Sequence, residues 1–380
     1  MKEVLNKMVD TVKLLMKIED PSILYNGNFA PMSIRQLVNS RSPGYTMSNP
    51  SKRYAQAGIS MPRFTFHKRP SKAGIVYQLA IEFSAPKLLF GNNFDELAES
   101  DFDSLLNVLQ EKVYKLIGYR FFQSQFAKAD VGAWHPSKNV VFLDHTSCQT
   151  VINTIGKLNI SRVYDIQRTD FRDGHVLHIH CNSQDIACYD KLADLRKALV
   201  SEKRAFESDN TAQLNLLEPI LKDNPFEVFR FEVRYIGKAK VKRSYPELQN
   251  RDFQTLFTEK NCKDRLKYHW QKITSSIDML ALDIQQPYEL LQNYMIANPK
   301  ATPTKAMAAV CGLLINKQEG VTNLRNLLES RFGTQAWYRI KPNLVLPDAQ
   351  RYKHFVHVDE ALENFTPTNM KMYIENIVNN

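Results

Sequence analysis

One stretch, 226–236 (FEVFRFEVRYI), constrains the fold more than any other part of the chain. On an extended backbone Phe229, Phe231, Val233 and Tyr235 fall on one side, and Arg230, Glu232 and Arg234 fall on the other. A strand with an aromatic face and a charged face belongs in a sheet whose helices cover the apolar side only. The expectation is therefore an α+β domain with an antiparallel sheet, helices on one face and an accessible polar face on the other. Residues 75–84 (IVYQLAIEFS) repeat the pattern, with Tyr77, Leu79, Ile81 and Phe83 opposite Gln78, Ala80, Glu82 and Ser84. Shorter alternations predict strands over 12–18, 124–134, 139–143, 175–181 and 185–191, with 181–184 as a hairpin turn between the last two. A helix is expected at 100–117. There Phe102, Leu105, Leu109 and Val113 make a stripe, Ser100 and Asp103 have capping-box spacing, and Gly118 is placed to end it.

A polar, helix-rich stretch runs over 192–222, and past Pro246 alternation gives way to helical spacing at 264–282, 287–297, 304–315 and 321–332. The chain divides accordingly into an α+β domain, 1–245, and a mostly helical C-terminal domain, 246–380. The pair of helices at 304–332 fits two readings, a DNA-reading helix-turn-helix and a plain helical hairpin. With 43% hydrophobic residues the chain can build a core, and no apolar run approaches the length of a bilayer crossing. The N-terminal residues lack a signal-peptide core. The five cysteines contain no CxxC pair, which argues against a disulfide framework or a zinc ribbon and suits a reducing cytoplasm.

Fifty Lys+Arg against 40 Asp+Glu give a net charge of +10, an excess that favours polyanionic partners. The cluster at 237–244 (GKAKVKRS) carries Lys238, Lys240, Lys242 and Arg243 without an acid; taken by itself it reads as a solvated loop. No Walker loop, GxGxxG or HExxH occurs. What remains is IACYDKLADL (186–195), where Tyr189 and Lys191 share one side of a strand, together with the polar-face acids Glu82 and Glu232. A phenol beside a cation and carboxylates suits phosphodiester transfer. The phenolate attacks phosphorus, a carboxylate-held divalent cation polarises the phosphoryl oxygen, and the lysine offsets developing charge. The plainer reading of the same residues is packing for Tyr189, one of 16 tyrosines, and a cross-strand salt bridge for Glu232.

Four blocks in order carry a resemblance over most of the first 245 residues. IEFSAPKLLFGNNF (81–94) resembles a strand followed by PxKLLxGxN. VGAWHPSKNV (131–140) resembles a VSxIxxSKNI or SRID strand. IACYDKLADL is similar to xxxYDKxxEL, and VFRFEVRYIGKAKVKR (228–243) to LxRFExRxK. These are the blocks of the phage and plasmid replication proteins of the gene II/X type, which include the filamentous-phage gene II initiator. The resemblance implies a HUH/Rep-like palm and a rolling-circle replication initiator, a metal-dependent, site-specific DNA nickase and strand-transferase. It makes Tyr189 the nucleophile, which forms a 5′-phosphotyrosyl intermediate, leaves a 3′-OH primer and later rejoins the strand; Lys191 falls on the family's lysine. Glu232 becomes a metal ligand and Glu82 a second. Where the family has an aspartate this chain most naturally places His135, with Asp130, five residues earlier, as the second candidate. His178 and His180, flanking one residue, have the spacing of the HUH metal pair and also of an ordinary polar strand face. The implied ion is Mg²⁺ or Mn²⁺. Arg230, Arg234, Lys238, Lys240, Lys242 and Arg243 are the candidates for holding DNA. The implied partners are origin DNA, single- and double-stranded, and host helicase and polymerase in a bacterial cytoplasm, with no membrane and no small-molecule substrate. Two alternatives remain open: a non-catalytic DNA-binding repressor descended from such an enzyme, and a relaxase or transposase using the same chemistry.

Overall fold

Among the described residues the strand read at 226–236 is one of nine that pair antiparallel throughout into one open sheet. The computed structural model describes residues 9–196, 226–274, 287–344 and 353–369, apart from isolated positions. The strands are β1 (Val9–Ile18), β2 (Gly44–Ser48), β3 (Arg63–Ser71), β4 (Gly74–Ser84), β5 (Asp130–Phe142), β6 (Ile166–Arg172), β7 (Val176–Cys181), β8 (Gln184–Asp190) and β9 (Glu227–Ile236), in the order β2-β3-β4-β1-β5-β9-β8-β7-β6. Two meanders, β2–β3–β4 and β6–β7–β8, therefore flank a centre made of β1, β5 and β9.

The helices between and after the strands are α1 (Ile34–Asn39), α2 (Ala85–Phe90), α3 (Phe102–Ile117), α4 (Gln123–Ala127), α5 (Cys148–Gly156), α6 (Lys191–Arg196), α7 (Lys238–Ser244), α8 (Phe253–Leu256), α9 (Glu259–Thr274), α10 (Pro287–Ala297), α11 (Pro303–Glu319), α12 (Val321–Phe332), α13 (Thr334–Ile340) and α14 (Lys353–Asn364). The protein is thus an α+β protein. No helix among the described residues is long and apolar enough to cross a membrane.

The aromatic face of β9 is the core of the molecule. Phe231 meets Trp270 of α9 edge-on at 5.5 Å, Trp270 meets Phe355 of α14 at 5.2 Å, and Phe83 of β4 meets Phe253 of α8 at 6.1 Å. Residues on both sides of position 245 enter this one core. Several polar groups inside it are paired. The Trp134 indole N–H donates to Tyr245 Oη at 3.1 Å. The His269 ring of α9 engages Tyr164 Oη at 2.7 Å through Nδ1 and Tyr235 Oη at 2.9 Å through Nε2, which ties the helix to β9.

Several elements differ from the sequence expectation. The strand expected at 124–134 is split: α4 takes its first part, because Phe126 and Ala127 reach the core from a helix, and the Gln125 side chain accepts the Phe122 N–H at 2.8 Å. β5 starts at Asp130 and runs without a break through the second expected strand, 139–143. The basic loop expected at 237–244 is α7. It is anchored by buried Val241 and entered through Gly237, whose φ of 92° suits glycine. α3 is preceded by a 3-10 turn, and the Asp101 carboxylate, not Ser100, caps that entry by accepting the Ala98 N–H at 2.6 Å. α11 continues to Glu319 and meets α12 at Gly320 alone, so the pair lacks the three- or four-residue turn of a helix-turn-helix. The later part of the helix-rich stretch expected at 192–222, and the end of the helix expected at 264–282, lie outside the described residues.

Candidate active site on the polar face of the sheet

Cross-strand register brings the singled-out residues together. Ser137, Glu232, Ala187, His178 and Asp170 lie opposite one another in turn across β5, β9, β8, β7 and β6, and Asn139, Arg230 and Tyr189 form the neighbouring row. Ile186 and Cys188 face the main core, whereas Ala187 and Tyr189 pack with Val176 in a small separate cluster. Ala187 is the smallest side chain in its row and stands between His178 and Glu232. The order Tyr-Asp-Lys has a local cause. Asp190 ends β8 and its carboxylate accepts the Ala193 N–H at 2.9 Å, starting α6, so Lys191 becomes the first helical residue beside the tyrosine.

The Tyr189 hydroxyl donates to Glu232 Oε2 at 3.2 Å. Glu232 also accepts from Arg234, Nε to Oε1 at 2.9 Å and Nη2 to Oε2 at 3.3 Å, with His135 Nδ1 at 3.5 Å and Arg230 Nε at 3.7 Å. Arg230 is fully buried and fixed from three sides: Nη1 donates to Asn93 O at 3.0 Å, Nη2 donates to Ser137 Oγ at 3.0 Å, and Asp10 of β1 lies 3.3 Å away. Its Nε–H is buried without a hydrogen-bond acceptor. The accessible polar face expected from sequence is therefore closed at its centre, where Glu232 is 1% exposed and Tyr189 7%. Paired guanidinium and carboxylate groups, with the Asn93 carbonyl on one flank, allow charge to be buried there.

This setting shifts the titrating groups. Burial pushes the Tyr189 phenol well above 10, against the pull of Arg230. Burial also opposes the charge on Glu232, but Arg234, His135 and Arg230 outweigh it and hold the carboxyl well below its ordinary range. Lys191 is 1% exposed, and burial followed by the Arg230 charge brings it down to about 7. His178, half-buried and near Arg234, is lowered to about 4 by its partial burial first and that charge second, so its ring is neutral at pH 7.

Tyr189, Lys191, Glu232, His135, Arg230 and Arg234 thus gather at one place, with the His178 ring 6.4 Å from the Tyr189 ring. Others do not join them. Glu82 sits between Lys13 at 2.6 Å and Arg63 at 2.5 Å, three strand spacings or about 14 Å across the sheet from β9, and in register with Ile236 rather than Glu232. Asp130 pairs with Lys238 at the start of β5. His180 lies between Asp170 at 3.2 Å and Asp185 at 3.1 Å, and its ring is 5.8 Å from that of His178. Lys240, Lys242 and Arg243 belong to α7, apart from the tyrosine, and of the expected DNA-holding cations only Arg230 and Arg234 line the site itself.

As the side chains stand, the expected ligand set does not make a cation cage. Among the described residues no three carboxylate, imidazole or thiol groups converge on one point. Glu232 and His135 come nearest, and a divalent ion there would stand against two guanidinium groups. The donors present do not fit a resident Mg²⁺ or Mn²⁺ in this arrangement.

Sequence reasoning missed Asp10, Ser137 and Asn139. Asp10 lies within a bulge of β1, between Val9 and Val12, and its carboxylate meets Arg230. It also missed the block 92–96 as a wall of the site: Asn93 meets Arg230, and Glu96 accepts from Lys138 Nζ and the Asn139 N–H, each at 2.7 Å. The GNNF of the first resembling block was the available signal.

Comparison with models of known protein families, with curated proteins and with solved structures finds no match to this chain. The functional reading rests on the residues alone.

Proposed function

We propose that the chain is a rolling-circle DNA replication initiator, a site-specific nickase and strand-transferase whose nucleophile is Tyr189. The observation that carries this reading is the meeting of one phenol with a carboxylate, two guanidinium groups and a buried ammonium on three adjacent elements, β8, β9 and α6. Guanidinium groups match the non-bridging oxygens of a phosphodiester and offset the charge that gathers on them during transfer. Tyr189 Oη attacks phosphorus as its proton passes to the Glu232 carboxylate it already faces, a base that strengthens as the arriving phosphodiester engages the Arg230 and Arg234 guanidinium groups that otherwise hold it ionised. The P–O3′ bond breaks, leaving a 3′-OH and a 5′-phosphotyrosyl link, and attack by a 3′-OH on that link reverses the step and rejoins the strand. A phenol this buried is protonated in the resting protein, so attack and proton loss occur together.

The proposed partners follow from this chemistry: origin DNA, a host helicase and a host polymerase, in the cytoplasm of a bacterial host. α7, with Lys240, Lys242 and Arg243, supplies a basic surface for the duplex away from the cleavage point. Supercoiled origin DNA incubated with the protein and Mg²⁺ or Mn²⁺ is expected to give open circles and a protein–DNA adduct; Tyr189→Phe is expected to give neither. Nicking that survives Tyr189→Phe overturns the assignment. The depth of Tyr189 favours one second reading, a non-catalytic DNA-binding protein; in that case the wild type retards DNA and never forms an adduct.

A further inference from the structure

We infer that Lys191 is the general acid of the strand transfer, the group that hands its proton to the departing 3′ oxygen; this rests on the nickase reading above. Every other charged group at the site has a partner. Glu232 is held by Arg234, and Asp10 by Arg230. Lys191 alone, as deeply buried as Glu232, makes no hydrogen bond or ion pair with a described residue. Its nearest described aromatic neighbour is the nucleophile itself, with Nζ 5.8 Å from the Tyr189 ring centre. An ammonium buried with no hydrogen bond or ion pair to a described residue is costly, so we infer that the fold holds this one for something that arrives.

In-line transfer needs an acid distinct from the base that takes the phenol proton, and Lys191 reaches the tyrosine from α6, which the Asp190 cap starts, while Glu232 reaches it from β9. The balance closes without any added reactant. The Tyr189 proton goes to Glu232, the Oη–P bond forms, the P–O3′ bond breaks, and the Lys191 proton goes to the 3′ oxygen. Rejoining runs the same transfers backwards. Lys191 faces Arg230 from β9, Asp10 from β1, Lys87 from α2 and Asp194 from its own helix, besides Tyr189. Burial and Arg230 lower it to about 7, which lets it both give and regain a proton near neutrality. A plain counter-charge has no need of that.

The test compares an ordinary origin oligonucleotide with one whose scissile 3′ oxygen is replaced by sulfur, a leaving group that needs no proton. Lys191→Met, which keeps the buried volume, and Lys191→Arg, which keeps the charge, are each expected to slow adduct formation on the oxygen substrate at least about a hundredfold. On the sulfur substrate both are expected to return to within about tenfold of wild type. The wild-type rate on oxygen is expected to fall as pH rises through about 7, where Lys191 loses its proton, and to stay level on sulfur. Full activity of Lys191→Arg on oxygen, or failure of sulfur to rescue either variant while wild type forms the adduct, overturns the general acid and leaves the nickase standing. No wild-type adduct on either substrate overturns both.

Discussion

The sheet holds two glutamates that look alike in sequence and differ in everything around them. Glu82 in IEF and Glu232 in FEV each sit on the polar face with two cations beside them. Glu82 keeps 26% of its side chain in water, with Lys13 at 35% and Arg63 at 37%. Burial opposes its charge, and Lys13 and Arg63 then lower its pKa; the three form an ion-pair cluster near the surface. Glu232 is 1% exposed, its Arg230 partner is fully buried, and a phenol completes its shell. The same residue types give a solvated brace in one half of the sheet and a preorganised polar site in the other. What separates them is depth, supplied by β1 and the 92–96 segment on one flank and by α6 on the other.

The largest contrast is catalytic. Glu232→Gln is expected to abolish adduct formation, whereas Glu82→Gln leaves the nicking rate within about threefold, since a part-exposed pair contributes only about 0–1 kcal/mol. Stability sharpens the same contrast. Glu232→Gln leaves Arg234 without its carboxylate and Arg230 with Asp10 alone, and is expected to cost about 3–5 kcal/mol in urea unfolding; Glu82→Gln is expected to cost less than about 1 kcal/mol. Equal losses would mean that depth is not the deciding variable.

Acid sensitivity comes next and belongs to the β6–β9 half. His178 and His269 are neutral in the folded protein, lowered by burial to about 4 and about 3, while in the unfolded chain they take up protons below about 6.5. The unfolded state therefore binds more protons in that window. Stability is full above about 6.5 and is lost as pH falls toward 4, by up to about 1.4 kcal/mol per pH unit for each ring. His269→Gln is expected to flatten this slope in denaturant titrations from pH 7 to 4. The smallest effect lies on α7. Lys242→Ala and Arg243→Ala are expected to weaken DNA binding alike for all sequences and to reduce its salt slope by about one each, without changing the cleavage site.

Much of the sheet was legible because its strands alternate. β4, β7, β8 and β9 lie within a residue or two of their expected limits, and so do α10 and α12. β2, β3 and β6 escaped. β3 carries Phe64, Phe66 and Lys68 on its inner side, and a lysine there reads as polar. In fact Lys68 is buried with its ammonium donating to the carbonyls of Val38 and Ser40 at the end of α1, which a sequence does not announce. β6 is an edge strand of exposed polar residues, and such strands take their conformation from the neighbour they pair with. At the site, Tyr189, Lys191 and Glu232 were readable from their blocks. The Asp10–Arg230 contact was not, because it joins β1 to β9 across β5 and depends on a bulge. Glu82 was misleading for the opposite reason: its block is intact, but its strand lies on the far side of β1.

Mass spectrometry of the protein after reaction with an origin oligonucleotide asks the decisive question in one step. If Tyr189 is the nucleophile, the digest contains one peptide spanning Tyr189 that carries a 5′-phosphorylated DNA fragment on the phenol, and the released strand ends in a 3′-OH. A fragment attached to any other residue, or a 3′-linked one, contradicts it.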